Sequence, residues 1–214
     1  MSSLTPSSPD PKSPDFIEAL NSGCFCLTLD EAALARALDG EMGQPGLSAM
    51  VRQRSPYLFA SQPVFVAPEL LHRIRKVVQA VETVVALPAY REHALAAAPA
   101  IARLETQAAK GVFFGYDFHI DHGRLGLIEI NTNAGGAMLN AVLARAHRVC
   151  CAAMGDLVPT TAAIEAFERS IIDMFRSEWQ LAGHPRALST IAIVDDVPEQ
   201  QYLYPEFLLF QRLF

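Results

Sequence analysis

The sequence has little of several features that would assign it to a functional class at once. Only 19% of its residues are charged, and acidic residues outnumber basic ones, which gives a formal net charge of -6. It has no basic stripe, so the electrostatic footprint of a nucleic-acid-binding protein is missing. No apolar run approaches the roughly 18 residues that a membrane-spanning helix needs. We therefore expect neither nucleic acid nor a membrane as a partner.

Cysteine is also scarce. The chain has four, Cys24 and Cys26 in one pair and Cys150 and Cys151 in another. Cys-x-Cys with Cys-Cys matches no common zinc spacing, and the pattern gives no support to a redox role. The first residues lack the apolar segment of a secretory signal, so we expect a reducing, cytoplasmic location, where free cysteines pack as small apolar residues.

The first 14 residues are rich in proline and serine, which predicts a disordered tail. Beyond the tail the chain is rich in apolar residues, at 51% overall, and this allows a sizeable core. The segment from 40 to 66 is rich in glycine and proline, which predicts loops around short elements. It carries Arg52 and Arg54, which are either solvated at the surface or bound to a phosphate or carboxylate.

The most strongly patterned stretch is 111–148. Residues 113–121 alternate, with Asp117, His119 and Asp121 on one face and aromatic or aliphatic residues on the other. Residues 125–133 alternate as well, with Glu129, Asn131 and Asn133 on the polar face; His122 and Gly123 mark a turn between the two runs. This pattern predicts an antiparallel hairpin.

The register of this hairpin decides its chemistry. Asp117 faces Glu129 only if the connecting loop has an odd number of residues, so we predict a loop of three or five. Such a loop gathers Asp117, Glu129 and Asn131 on one surface, and His119 is placed to orient a carboxylate. Carboxylate and amide oxygens are ligands that Mg²⁺ takes, although the same face is equally consistent with simple solvation.

A glycine pair, Gly135 and Gly136, follows the hairpin and leads into a helix. Glycines at a helix start let backbone N–H groups approach an anion, where the helix dipole favours negative charge. The alternative is a cramped strand-to-helix bend that needs glycine for steric reasons. The pair is not a P-loop, since no Gly-Lys-Ser/Thr follows.

The run Glu129-Ile130-Asn131-Thr132, followed by Gly135-Gly136 and His147-Arg148, resembles the magnesium-binding segment of eukaryotic-type glutathione synthetase. Asp117 and the Glu-x-Asn after it are also similar to the pattern of bacterial glutathionylspermidine synthases. Both families belong to the circularly permuted part of the ATP-grasp superfamily. The resemblance is close over about forty residues and looser over residues 190–214. Two positions depart from it: Gly115, where these families often carry arginine, and the loop 133–136, which lacks the usual serine.

The resemblance implies a set of site residues and cofactors. Asp117, Glu129 and Asn131 would bind Mg²⁺ that bridges the phosphates of ATP, and Asn133, Gly135 and Gly136 would shape the phosphate or substrate loop. The reaction implied is ATP-dependent joining of a small-molecule carboxylate to an amine or thiol through an acyl phosphate. The predicted fold class is α/β (α+β), with helices packed on an antiparallel hairpin or sheet of ATP-grasp type.

Helical periodicity is clearest after Pro68 and again over residues 160–181. A break at 183–185 precedes an apolar run, 189–194, which is typical of a buried strand, and a final helix containing Pro205. We therefore expect a helical and β region over residues 15–186 and the first strand and helix of an incomplete second α/β lobe over 187–214. This order predicts the front part of a longer ligase, inactive or weak by itself.

Two alternative functions come from other classes. Phe207 and Phe210 on the last helix would give a non-catalytic module an apolar surface for a partner, including a second copy of the chain. Asp117, His119 and Asp121 would instead supply mixed ligands to a transition metal in a hydrolase.

Overall fold

The computed structural model describes residues 13–23, 27–42, 46–103, 108–121, 123–149, 155 and 157–214. The four cysteines, and most of the N-terminal segment expected to be a disordered tail, lie outside these residues. The described chain has eight α-helices and four strands, so the mixed α/β class is confirmed, with helix predominating. None of the described helices is both long and apolar enough to cross a membrane.

The chain divides into two compact units, each built from separate segments. The first comprises Met1–Cys24, Val64–Glu105 and Tyr116–Asn131, and the second comprises Phe25–Pro63, Thr106–Gly115 and Thr132–Phe214. This division differs from the boundary that we expected near residue 186, since residues 187–214 belong to the second unit with residues far upstream.

The first unit contains helices α1, Pro14–Gly23, α4, Pro68–Val85, and α5, Pro88–Leu95, with a 3-10 turn at Ala100–Arg103. Strands β2, Gly115–Asp121, and β3, Arg124–Asn131, pair as a two-stranded sheet. Pro68 occupies the first turn of α4, where its missing N–H costs no hydrogen bond. The core of this unit is small: Ile17, Leu20, Ala67 and Leu70.

The second unit contains helices α2, Glu31–Met42, α3, Leu47–Arg54, α6, Ala137–Ala146, α7, Thr161–Leu181, and α8, Tyr204–Leu213. Strand β1, Leu27–Leu29, pairs antiparallel with β4, His147–Val149, so that Leu29 lies opposite His147. Its buried core cluster draws on α2, α3, α6, α7 and α8: Leu38, Leu47, Val51, Met138, Leu139, Val142, Ile171 and Leu209.

Side chains at the helix starts explain several boundaries in the second unit. The Asp30 carboxylate accepts a hydrogen bond from the N–H of Ala33 at 3.0 Å and so caps the start of α2. The Thr160 hydroxyl does the same for Ala163 at the start of α7, at 3.2 Å. The start of α3 is capped from a distance, because the Asp39 carboxylate accepts from the N–H groups of Gly46 and Ser48.

The strand predicted over residues 189–194 is wrong, since this segment carries no strand. An apolar run becomes a strand only when a neighbouring strand satisfies its N–H and C=O groups, and the described sheets pair only β1 with β4 and β2 with β3. Val194 is 87% exposed. The lobe expected to begin here therefore lacks its first strand, whereas the helix after it is present as α8.

Candidate functional site

The predicted metal ligands lie on the β2–β3 hairpin of the first unit. The strands end at Asp121 and begin again at Arg124, which leaves two residues between them, so the predicted odd-length loop is wrong. Gly123, just before β3, has a φ of 72°, a left-handed backbone conformation that glycine adopts without steric cost. Two strands joined so tightly must run antiparallel.

Glu129 and Asn131 are brought together on this hairpin. They are two positions apart on β3 and so share a face of the strand. The Asn131 side-chain amide donates to Oε1 of Glu129 at 3.1 Å. One carboxylate oxygen of Glu129 and the carbonyl oxygen of Asn131 take no part in that bond. The pair therefore offers adjacent oxygen donors, the ligand type that a hard divalent cation takes.

Asp117 and His119 lie on β2 with exposed side chains, and neither has a hydrogen-bond or ion-pair partner among the residues that the structure describes. Asp121 differs, because its carboxylate pairs with the Arg124 guanidinium at 2.7 Å across the turn. Both members of that pair are well exposed, so its contribution to stability is about 1 kcal/mol or less. It nevertheless engages one of the three ligands that a hydrolase would need.

Within the described part of the chain, no three His, Cys, Asp or Glu side chains lie close enough to one another to hold a metal ion. Asp117, His119 and Asp121, the ligands predicted for a transition metal, therefore do not form such a group. Glu129 with Asn131 falls outside this criterion because one of the two side chains is an amide. Its donor chemistry fits Mg²⁺, which keeps several waters and needs only one or two protein carboxylates.

The predicted phosphate loop lies in the second unit and has a different character. The Glu206 carboxylate, from the first turn of α8, accepts hydrogen bonds from the N–H of Gly136 at 2.6 Å and of Met138 at 2.8 Å. The Glu206 side chain is 2% exposed. The anion at the start of α6 is therefore a side chain of the protein itself, and it stabilises the positive end of the helix dipole.

The glycine pair is needed for steric reasons at this bend. Gly136 has a φ of 100°, which other residues rarely adopt, and a Cβ on Gly135 would lie 2.6 Å from Cδ1 of Leu203 and 3.2 Å from Oε2 of Glu206. Of the two interpretations that the sequence left open, the cramped bend accounts for these contacts. Asn133 is exposed just before the bend.

Sequence reasoning missed Glu206. Its only local signal is an acidic residue in the first turn of a helix after Pro205, a common pattern that indicates no distant partner. The N–H groups that it binds are about 70 positions away in the chain.

Phe207 and Phe210, which we expected to give the last helix an apolar surface, are both partly buried. The Phe210 ring packs 5.5 Å from that of Phe113 within the second unit, whereas Phe214 is 43% exposed. A homo-oligomer through α8 stays a prediction.

Comparison with known proteins adds no assignment: no family model matches the chain, and neither a curated protein nor a solved structure matches it.

Proposed function

We propose that the β2–β3 hairpin binds Mg²⁺ and a nucleoside triphosphate as part of an ATP-dependent carboxylate–amine (or thiol) ligase of the ATP-grasp type. The observation that carries this proposal is the contact between Glu129 and Asn131, which sets two oxygen-bearing side chains side by side on one exposed strand face. The resemblance of the surrounding sequence to glutathione synthetase supports the same pair as metal ligands.

Asp117 completes the proposed ligand set if it shares a face with Glu129. Strand β3 has eight residues and β2 has seven, so one residue of β3 is unmatched. If Asp121 lies opposite Arg124 and the strands pair without a bulge, Asp117 lies opposite Ile128. An extra residue between Arg124 and Glu129 brings Glu129 opposite Asp117, and Gly126 is suited to such a bulge. We propose this register.

The role of the protein groups follows from charge. In phosphoryl transfer the main requirements are positioning and neutralisation of phosphate charge, and a bound Mg²⁺ supplies the neutralisation. Glu129 and Asn131 would hold the ion, and the Asn131 amide would turn so that its oxygen faces the metal. The N–H of Gly136 is already bound to Glu206, so we assign no phosphate to it. The phosphoryl acceptor would be a small-molecule carboxylate: transfer of the γ-phosphate to it would release ADP, and attack of an amine on the resulting acyl phosphate would release inorganic phosphate.

The test is binding of a non-hydrolysable ATP analogue, measured calorimetrically with and without Mg²⁺. Glu129→Gln keeps the shape of the side chain and removes its charge, so we expect Mg²⁺-dependent binding to weaken about tenfold or more, because charge-assisted contacts are worth about 1.5–3 kcal/mol. The matched control is Glu92→Gln on α5 of the same unit, an exposed carboxylate with no partner among described residues.

Asp117→Asn decides the register within the same experiment. A loss similar to that of Glu129→Gln supports a shared face, whereas unchanged binding excludes Asp117 from the ligand set. Nucleotide binding that ignores both Mg²⁺ and Glu129→Gln would contradict the proposal as a whole.

A further inference from the structure

The second unit contains a cavity that no part of the proposed ligase site uses. Its volume is about 480 Å³, which lies within the range of ordinary small-molecule sites. It is lined by the end of β1, by one face each of α2 and α3, and by residues 55–61 that follow α3. All these segments belong to one continuous stretch of the second unit.

The base of the cavity is apolar. Leu38 on α2 and Val51 on α3 are 2% and 6% exposed, and both belong to the core cluster of the unit. Leu34 and Phe59 also line the cavity and pack against this cluster. A ligand that enters would therefore place an aliphatic or aromatic group against side chains of the core cluster, where the burial of apolar surface favours binding.

Two opposite charges line the mouth of the same cavity, Glu31 at the start of α2 and Arg52 near the end of α3, and both residues are exposed to solvent. Neither has a hydrogen bond or ion pair with any residue in the described ranges. They do not pair with each other, although they line one space. Two other arginines of the unit are engaged: Arg145 pairs with Glu168 at 2.7 Å, and Arg54 donates to the carbonyl oxygen of Glu199.

An unpaired guanidinium, an unpaired carboxylate and an apolar base together fit one class of ligand. A guanidinium binds a carboxylate in a planar, two-pronged geometry, and a carboxylate binds an ammonium group. We propose that this cavity binds a free α-amino acid with an apolar side chain. Arg52 holds the α-carboxylate, Glu31 holds the α-ammonium group, and the side chain lies on Leu34, Leu38, Val51 and Phe59.

This site stands on the geometry of the cavity alone and does not depend on the proposed ligase function. The cavity residues and the hairpin residues are separate, so loss of one activity leaves the other measurable. The probe is L-leucine, titrated into the whole chain and followed by calorimetry and by amide chemical shifts.

Three analogues test the three parts of the proposal. L-Leucinamide lacks the carboxylate, 4-methylpentanoate lacks the ammonium group, and glycine lacks the apolar side chain. We expect each to bind about tenfold or more weakly than L-leucine: the first two lose a hydrogen bond to a charged group, and glycine loses the burial of its apolar surface. Equal binding of 4-methylpentanoate and L-leucine would overturn the proposal in favour of a simple carboxylic acid.

Three variants assign the contacts. Arg52→Gln and Glu31→Gln are expected to weaken L-leucine binding about tenfold or more. Each should lower the melting temperature only slightly, because it loses the interaction of one exposed charge with a helix dipole and no hydrogen bond or ion pair with a described residue. The control is Arg36→Gln, an exposed arginine of α2 that does not line the cavity, and we expect it to bind as the unmodified chain does. No detectable binding of L-leucine, or binding that Arg52→Gln and Glu31→Gln leave unchanged, would overturn the proposal.

Discussion

The hairpin of the first unit and the glycine bend of the second were both predicted from sequence to bind a ligand, but their carboxylates differ in the structure. On the hairpin, the Glu129 side chain is exposed, and its hydrogen-bond partner among the described residues is Asn131, two positions away. At the bend, the Glu206 carboxylate is buried and its two oxygens bind backbone N–H groups. A carboxylate that is already satisfied by the backbone stabilises the fold, whereas one left with free oxygens is available to a ligand.

The largest effect should come from removing the buried carboxylate. Glu206→Ala leaves the N–H groups of Gly136 and Met138 without an acceptor in a buried setting, so we expect a loss of about 2–5 kcal/mol in the free energy of unfolding. Urea denaturation measures this loss.

The control for that loss is Glu199→Ala, an exposed acidic side chain in the 3-10 turn before α8, which should change stability by less than about 0.5 kcal/mol. Equal effects of the two substitutions would break the contrast between a satisfied and a free carboxylate.

A second test compares glycines. Gly136→Ala forces a residue with a Cβ into a φ of 100°, and we expect a cost of about 1–2 kcal/mol. Gly40→Ala offers the opposite case, because Gly40 lies inside α2 with open space around its Cα. There the substitution should stabilise the chain by about 0.5–1 kcal/mol. Denaturation curves of both variants measure these changes. A change in the free energy of unfolding that has the same sign in both variants would contradict the steric account of the bend.

The smallest effect concerns pH and is confined to the second unit. Burial lowers the pKa of His147 below its ordinary 6.5, so the unfolded chain binds more protons below that pH. Above pH 6.5 the neutral imidazole of His147 does not reduce the stability of the fold. As the pH falls from 6.5 through the folded pKa, the free energy of unfolding decreases. His147→Gln should remove this window, whereas His119→Gln on the exposed hairpin should leave it unchanged.

A further acid window comes from Asp39. Hydrogen bonds from the Ser48 backbone, with smaller contributions from the Ser48 hydroxyl and from Gly46 and Leu47, hold the pKa of Asp39 below 3.8 against the opposing effect of burial. Its contribution to stability is present above that pH and is lost on further acidification. Denaturation at pH 5 and pH 3, with Asp39→Asn as comparison, measures it; an equally steep fall in the variant would contradict this assignment.

Local pattern predicted much of the fold. Alternation predicted β2 and β3, and helical periodicity predicted α4 and α7, because each pattern lies within one element. The cap of α2 by Asp30 is predictable from sequence in the same way, because the residue that it binds is three positions away. The strand predicted over 189–194 is wrong, because a strand depends on a neighbouring strand that its own residues do not specify.

The site was predictable only in part, for the same reason. The contact between Glu129 and Asn131 follows from a spacing of two on one strand. The turn length between β2 and β3 was mispredicted because an odd number of loop residues was chosen to place Asp117 opposite Glu129. The binding of Glu206 to the glycine bend, and the meeting of Glu31 and Arg52 in one cavity, depend on how distant or separately folded segments pack together.

The central claim is that the hairpin holds a divalent cation, and paramagnetic broadening by Mn²⁺, which takes similar oxygen ligands to Mg²⁺, tests it most directly. At substoichiometric Mn²⁺ we predict that amide signals of residues 129–131 broaden first, that excess Mg²⁺ reverses the effect, and that Glu129→Gln abolishes it. Broadening that is centred elsewhere, or that persists at these residues in Glu129→Gln, would contradict the account.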